Sequence, residues 1–231
     1  MKTFRVVVVA GLIAGLSGCA TDDPNRRAKT GAAIGAVLGA VAGNQVSHAR
    51  GAPIVGAVVG AIAGGAVGNY MDKQAAELER ELAAEAARKE LNITRLSGDA
   101  LKIGLASDVS FDLGSAQLRP EALNTYTKIA NILKDYDQTV IHIVGHTDSS
   151  GSASFNQELS QNRASTVASY LGGQGVPGSR IRQEGRGERE LLVRTADGVK
   201  EPRNRRVDIV IKPVIQGQEQ QAWTPPPYLG G

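Results

Sequence analysis

The sequence predicts an α+β domain with two main helices packed on a mixed β-sheet, preceded by a glycine-zipper helical hairpin and a spacer helix. Three patterns predict it. The run TVIHIV at residues 139–144 is rich in β-branched side chains and reads as a strand. After a polar, glycine-bounded loop, Ser160, Ala164, Val167, Ala168 and Leu171 recur at i, i+4, i+7, i+8 and i+11, which is one face of a helix. Near the end of the chain Val207, Ile209 and Ile211 alternate as a strand does when one face is buried. Strands and helices in this order give a sheet with helices laid over it.

The chain begins with a basic n-region, Lys2 and Arg5, and an apolar run at residues 6–16 that is too short to span a membrane as a mature helix. Residues 1–18 are therefore expected to be a signal peptide. They end in Leu16-Ser17-Gly18-Cys19, and Cys19 is the one cysteine of the 231 residues. A lone cysteine cannot form an internal disulfide. Removing Lys2 and Arg5 lowers the formal charge from +3 to +1. No basic run with interleaved aromatics occurs, so a nucleic-acid partner is not expected. Residues 19–30 are polar and read as a tether.

Residues 31–70 carry an internal repeat. Gly31, Gly35, Gly39 and Gly43 recur every four residues, and so do Gly56, Gly60, Gly64 and Gly68, with Ala, Val, Ile and Leu between them. Each glycine costs a helix about 1 kcal/mol relative to Ala. Eight at fixed spacing need a compensating contact, and close approach of two backbones supplies one. The pattern predicts a helical hairpin that lies in or against a membrane, self-associates, or packs on its own chain. Residues 71–97 begin with strong helix formers and interspersed charges, and Leu78 and Leu82 are the large apolar residues on a thin stripe. They read as a solvated helical spacer of about 30 Å.

Residues 98–214 have the texture of a globular domain. Residues 100–105 and 109–113 read as strands. Pro120 opens a helix with Ala122, Tyr126, Ile129, Ala130 and Leu133 on one face. Ser154 and Gln157 have the spacing of a capping box for the second helix. Residues 181–187 and 205–213 read as the closing strands. Arg205, at the end of the last apolar face, needs a partner, because burying a lone charge is costly. Residues 215–231, rich in Gln and Pro, read as a disordered tail.

The candidate site lies after the central strand. Asp148 falls in the loop, and Asn156, Ser160 and Arg163 follow at i, i+4 and i+7 on one helix face. An acid and a base then face one crevice. A small zwitterion fits there, its ammonium on Asp148 and its carboxylate on Arg163. Spacing alone also serves an idle salt bridge between Asp148 and Arg163, and favours that over a ligand site. A metal site is not expected, because His142 and His146, four apart on a strand, stand about 13 Å apart. No hydrolase or phosphate-loop motif is present, so the chain is read as neither an enzyme nor a cofactor binder.

Four motifs resemble the OmpA C-terminal domain family: residues 110–118 (SFDLGSAQL); Gly145-His146-Thr147-Asp148 with Asn156, Leu159, Ser160 and Arg163; Gly185-Arg186-Gly187-Glu188; and Asn204-Arg205-Arg206-Val207. Leu-Ser-Gly-Cys likewise resembles a bacterial lipobox, with an ordinary signal peptide or an uncleaved anchor as the alternatives. The first resemblance implies non-covalent binding of peptidoglycan through meso-diaminopimelate, with Asp148 and Arg163 as the gripping pair. It also implies that Asn156 and Leu159 line the pocket, that Thr147 and Ser149 offer polar contacts, and that Arg205 lies near the ligand carboxylate or plays a structural part. Gly114 stands where some members carry Asn, so a contact there is through backbone. Glu201 stands where many members carry Arg. The second resemblance implies a Cys19 lipidated in the outer membrane, with the domain in the periplasm. The alternative function is a membrane-associated structural or assembly factor, a homo-oligomer driven by the glycine zipper.

Overall fold

The computed structural model describes residues 60–227. The signal peptide, Cys19, the tether and most of the zipper lie outside the described residues. The chain runs through helix α1 (Val67–Glu81), strands β1 (Leu91–Arg95) and β2 (Leu101–Ala106), and helix α2 (Pro120–Asp135). Strand β3 (Thr139–His146), helix α3 (Ala153–Gly173), strands β4 (Ile181–Gly185) and β5 (Arg206–Pro213), and the short helix α4 (Glu219–Trp223) follow. The strands form one mixed sheet in the order β1-β2-β5-β3-β4. Among these five strands only the β3–β4 pair is parallel, and α3 is its crossover.

The register decides which side chains become core. Ile141, Ile143, Val207, Ile209, Ile211, Leu101, Ile103 and Leu105 share one face. That face meets Tyr126, Ile129 and Leu133 of α2 and Ala164, Val167 and Leu171 of α3 in one apolar cluster. Val207, Ile209 and Ile211 turn inward as expected. Their neighbours Asp208 and Val210 on the opposite face are buried as well, because the C-terminal segment and the turn at residues 96–99 cover that face.

The two expected helices are joined by a third. The solvated spacer is a correction: α1 lies in the core, with Met71, Ala75 and Leu78, and Leu82 just past its end, buried to 1 % exposure or less. Full burial of each large side chain contributes about 1.5–3 kcal/mol. Glu85 is buried too and pairs with Lys128 of α2 at 2.8 Å. Residues 91–95 then pair as an edge strand with β2. Composition showed only a thin stripe, and that stripe packs into the same apolar cluster as the sheet and α2.

The tail is a second correction. Residues 215–227 are packed along the outer face of the sheet. His142 Nε2 bonds the Ala222 carbonyl at 2.7 Å, Lys212 donates to the Thr224 carbonyl at 2.9 Å, and the Arg182 guanidinium lies 4.4 Å from the centre of the Trp223 ring. Four cations or donors on the sheet catch the segment, so its polar composition did not mean disorder; Arg186, donating to the Pro226 carbonyl at 2.8 Å, is the fourth. Two local readings also change. Residues 107–110 are a helical turn, with Phe111 bridging Leu118, in place of a strand. The cap of α3 is Ser152, which accepts from the Phe155 N–H, in place of Ser154.

The described part of the zipper is not one continuous helix. Ile62 is extended and pairs with Ile215, its N–H donating to Val214 at 2.8 Å. This pairing lies beside Gln138, at the start of β3. The loop bearing Asp148 lies just past the end of β3. Eight strand residues span roughly 25 Å, so Gly60, beside Gln138, lies at the pole opposite the candidate site. Among the described residues no helix is long and apolar enough to cross a membrane.

Candidate functional site

Two glycines set the site. Gly145 and Gly185 are register partners on β3 and β4. A Cβ on Gly145 would stand 2.1 Å from the Ser160 carbonyl oxygen, and one on Gly185 would stand 2.3 Å from the Gln161 nitrogen. Only glycine lets the first half of α3 lie this close to the sheet. Side chains then pin it. Gln157 donates to the Gly185 carbonyl at 2.8 Å, Gln161 accepts from the Gly185 N–H at 2.7 Å, and Ser160 Oγ accepts from the Gly187 N–H at 2.9 Å. The result fixes Asn156 and Arg163 against the loop after β3.

Asp148 is buried, yet ionised. One oxygen accepts from the Ser150 N–H and hydroxyl. The other accepts from the Glu201 N–H at 3.2 Å and from Arg205 Nη1 at 2.8 Å. Burial pushes its pKa up, but the bonds from Ser150 and Arg205 outweigh this and hold it below the ordinary carboxylate value. A carboxylate offers about four lone-pair sites, and all four are taken. Asp148 is therefore not an acid standing alone in a crevice. Arg205 is its ion-pair partner and also grips Asp108 with Nε at 3.0 Å and Nη2 at 2.5 Å. Those two carboxylates, Asp108 first, raise the Arg205 pKa.

Arg163 is 2 % exposed and makes no ion pair with Asp148. Its Nε donates to the Ser115 carbonyl at 2.9 Å, and its guanidinium carbon lies 5.1 Å from the Phe111 ring centre. Its Nη1 is buried without a hydrogen-bond partner. Burial lowers its pKa, with Asp108 acting in the opposite sense; arginine still stays charged. Such an orphan donor is costly to leave unmade. Beside it opens a cleft of about 310 Å3 lined by Asp108, Phe111, Asp112, Leu113, Arg119 and Arg205.

The other expected residues divide. Asn156 is buried against the loop and donates to the Asp148 carbonyl at 3.2 Å, to the Ser150 carbonyl at 3.1 Å and to Glu188 at 2.5 Å. Thr147 is buried with its hydroxyl unpartnered. Ser149 faces away from α3: its hydroxyl fastens the loop at Thr195 and Ala196, each at 2.8 Å. Leu159 is half-buried. Gly114 has φ +70° and open space around a would-be Cβ. Asp108, Phe111 and Glu188 join the site only in the fold; the sequence shows that Arg205 needs a partner, and the structure supplies Asp108 as well as Asp148.

Among the described residues no cluster of His, Cys, Asp or Glu could hold a metal ion. His146 is buried 3.3 Å from Asp208 on the outer face of the sheet, away from the crevice.

Residues 110–205 match the OmpA family, and residues 1–72 match the YMGG-like Gly-zipper. The Escherichia coli K12 protein named "Probable lipoprotein YiaD" is 36% identical over 222 residues, covering 91% of this chain and 99% of that one. The chain belongs to the OmpA family. Outer-membrane lipoprotein YfiB of Pseudomonas aeruginosa is 33% identical over 116 residues, covering 50% of this chain and 69% of that one. Among solved structures, the cell wall anchor of the T6SS from Pseudomonas aeruginosa superposes with a TM-score of 0.53 at 27% identity, covering 59% of this chain and 96% of the other. A MotB-like protein from Desulfovibrio vulgaris superposes with a TM-score of 0.57 at 22% identity, over 64% and 93% of the two chains, and shares the fold. As an OmpA-family member the chain is a binding and structural protein rather than an enzyme.

Proposed function

We propose that this OmpA-family chain binds peptidoglycan without a covalent bond and tethers the outer membrane to the cell wall. The ligand is the meso-diaminopimelate of the stem peptide, which offers an ammonium and a carboxylate on one carbon. The observation that carries this reading is the buried, unpartnered Nη1 of Arg163 beside the open cleft. A ligand carboxylate satisfies it by a charge-assisted bond. The saturated Asp148 adds a step. For the ligand ammonium to reach it, Arg205 gives up its place on Asp148 and turns to the ligand carboxylate, while Asp108 keeps the guanidinium at the rim. Asn156 and Thr147 line the crevice, Leu159 and Gly114 border it, and Ser149 braces the loop from behind.

Lipidation of Cys19 sets the domain in the periplasm at the membrane surface. The names of YiaD and YfiB as lipoproteins support this, and the cell wall anchor supports the wall-binding half. With Gly60 and the crevice at opposite poles, the domain itself covers the distance expected of the spacer. A single small-ligand pocket holds weakly, and many anchored copies facing one polymer add avidity.

The test is co-sedimentation with purified sacculi. Wild type pellets with sacculi of the diaminopimelate type, while Asp148→Ala and Arg163→Ala stay in solution with melting curves that show a folded domain. Retention of both variants refutes the pocket. Equal pelleting of wild type with lysine-type sacculi refutes the diaminopimelate assignment alone.

A second reading rests on the match of residues 1–72 to the YMGG-like Gly-zipper: a homo-oligomer held by that segment. Since Ile62 and Val67 belong to the domain core, the informative deletion is of residues 31–59. It leaves sacculus binding intact and lowers oligomer size; an unchanged size removes this reading.

A further inference from the structure

Three arginines meet at the cleft beside Arg163, and two of them are already accounted for. Arg163 brings its unpartnered donor, and Arg205 holds Asp108 and Asp148. The third is Arg119, which lines the cleft with Phe111, Asp112 and Leu113. Arg119 is the N-cap residue of α2, and its backbone is fixed on both sides. Its N–H donates to the Ser110 carbonyl at 2.9 Å, and its carbonyl accepts from the Ala122 N–H at 3.0 Å. Its Nη1 donates to the Asp108 carbonyl at 3.0 Å. Its Nε stands 3.7 Å from Asp112 and 3.8 Å from Glu121, beyond hydrogen-bond distance. Those two carboxylates are 78 % and 73 % exposed, and exposed pairs at such range contribute little. The same two residues tie the three arginines together. Asp108 gives its carbonyl to Arg119 and its carboxylate to Arg205. Asp112 faces Arg119 with its carboxylate and Arg163 with its carbonyl, at 3.5 Å.

We infer that Arg119 is a specificity-determining residue of this site: it takes a second carboxylate of the stem peptide, beyond the one given to Arg163. The inference rests on the peptidoglycan reading above. Two groups of the peptide have this chemistry. One is the free carboxylate of the γ-linked D-glutamyl residue; the other is the chain-end carboxylate of a stem that stops at diaminopimelate. The guanidinium fork matches either of them in two places. Phe111 and Leu113, the latter 80 % exposed, give the methylenes between the two carboxylates an apolar side. With its backbone fixed and Nη1 engaged, Arg119 loses little side-chain freedom on binding.

The experiment is calorimetric titration of the full chain, in detergent at low ionic strength, with four peptides. They are L-Ala-γ-D-Glu-meso-diaminopimelate, its glutamyl amide, its chain-end amide and the double amide. All four keep the diaminopimelate ammonium and carboxylate that the crevice takes. Wild type binds the full acid about tenfold more tightly than the double amide. Loss of that advantage in one single amide or the other identifies the carboxylate that Arg119 holds. Arg119→Gln binds the full acid and the double amide alike. Glu121→Gln, which removes a competing acid at an exposed position, widens the preference and keeps the test open if Arg119→Gln fails to fold; a preference left unwidened then overturns the assignment. A preference that survives in Arg119→Gln, or equal binding of all four peptides by wild type, overturns the assignment of Arg119 and leaves the crevice reading standing. Wild type that binds none of the four overturns both.

Discussion

Gly145→Ala tests the step from sequence to site most directly. The added methyl carbon would stand 2.1 Å from the Ser160 carbonyl oxygen and 2.9 Å from its carbon, whereas ordinary contact begins near 3.4 Å. The obstacle is helix backbone, which cannot rotate away as a side chain can. Relief requires α3 to retreat from β3 by about 1.3 Å, the difference between 3.4 and 2.1 Å. That movement breaks the bonds of Gln157 and Gln161 to Gly185 and of Ser160 to Gly187, and it carries Asn156 and Arg163 with it. Overpacking typically costs about 1–3 kcal/mol, and this collision lies at or beyond the upper end. The control is Gly172→Ala in the same helix, where a Cβ meets nothing within 4 Å; it is neutral or stabilises by up to about 1 kcal/mol. Urea unfolding measures both, and sacculus co-sedimentation measures the site. An unfolding midpoint for Gly145→Ala equal to wild type, with sacculus binding retained, refutes the claim that close approach of strand and helix builds the crevice.

Leu78→Ala destabilises the domain by about 2–5 kcal/mol, because Leu78 is fully buried in the main core; a loss below about 0.5 kcal/mol in urea unfolding would return residues 67–81 to the status of a spacer. Acidification has a defined sign. Burial lowers the pKa of His142 and of His146, so the stability tied to their neutral forms is complete above about pH 6.5 and declines as pH falls from there toward their folded-state values. Each contributes a slope of at most about 1.4 kcal/mol per pH unit, and His142→Gln with His146→Gln flattens the curve; an unchanged slope in the double variant removes the assignment. Asp148 has a depressed pKa, so sacculus binding is flat from pH 7 down to about pH 4 and falls below that; a midpoint near pH 6 shows that another group governs the grip.

Much of this protein was legible in its residues. The β-branched run at 139–144 and the periodicity through Leu171 defined β3 and α3, because burial imposes periods of 2 and 3.6 on any chain that forms them. The spacing of Asp148, Asn156 and Arg163 placed an acid and a base near one loop. The chain could not reveal how those charges are shared. Arg205 lies 57 residues from Asp148 and 97 from Asp108, and only the antiparallel pairing of β5 with β2 and β3 brings the three together. Coulomb attraction depends on distance in space, and distance along the sequence does not fix it. The same holds for α1 and the tail. Their compositions are polar enough for solvated segments, and they are ordered because the sheet has two faces and each needs a cover. Sequence determined the elements and the candidate pair; tertiary packing decided which charge Asp148 holds, and which donor of Arg163 is left without a partner.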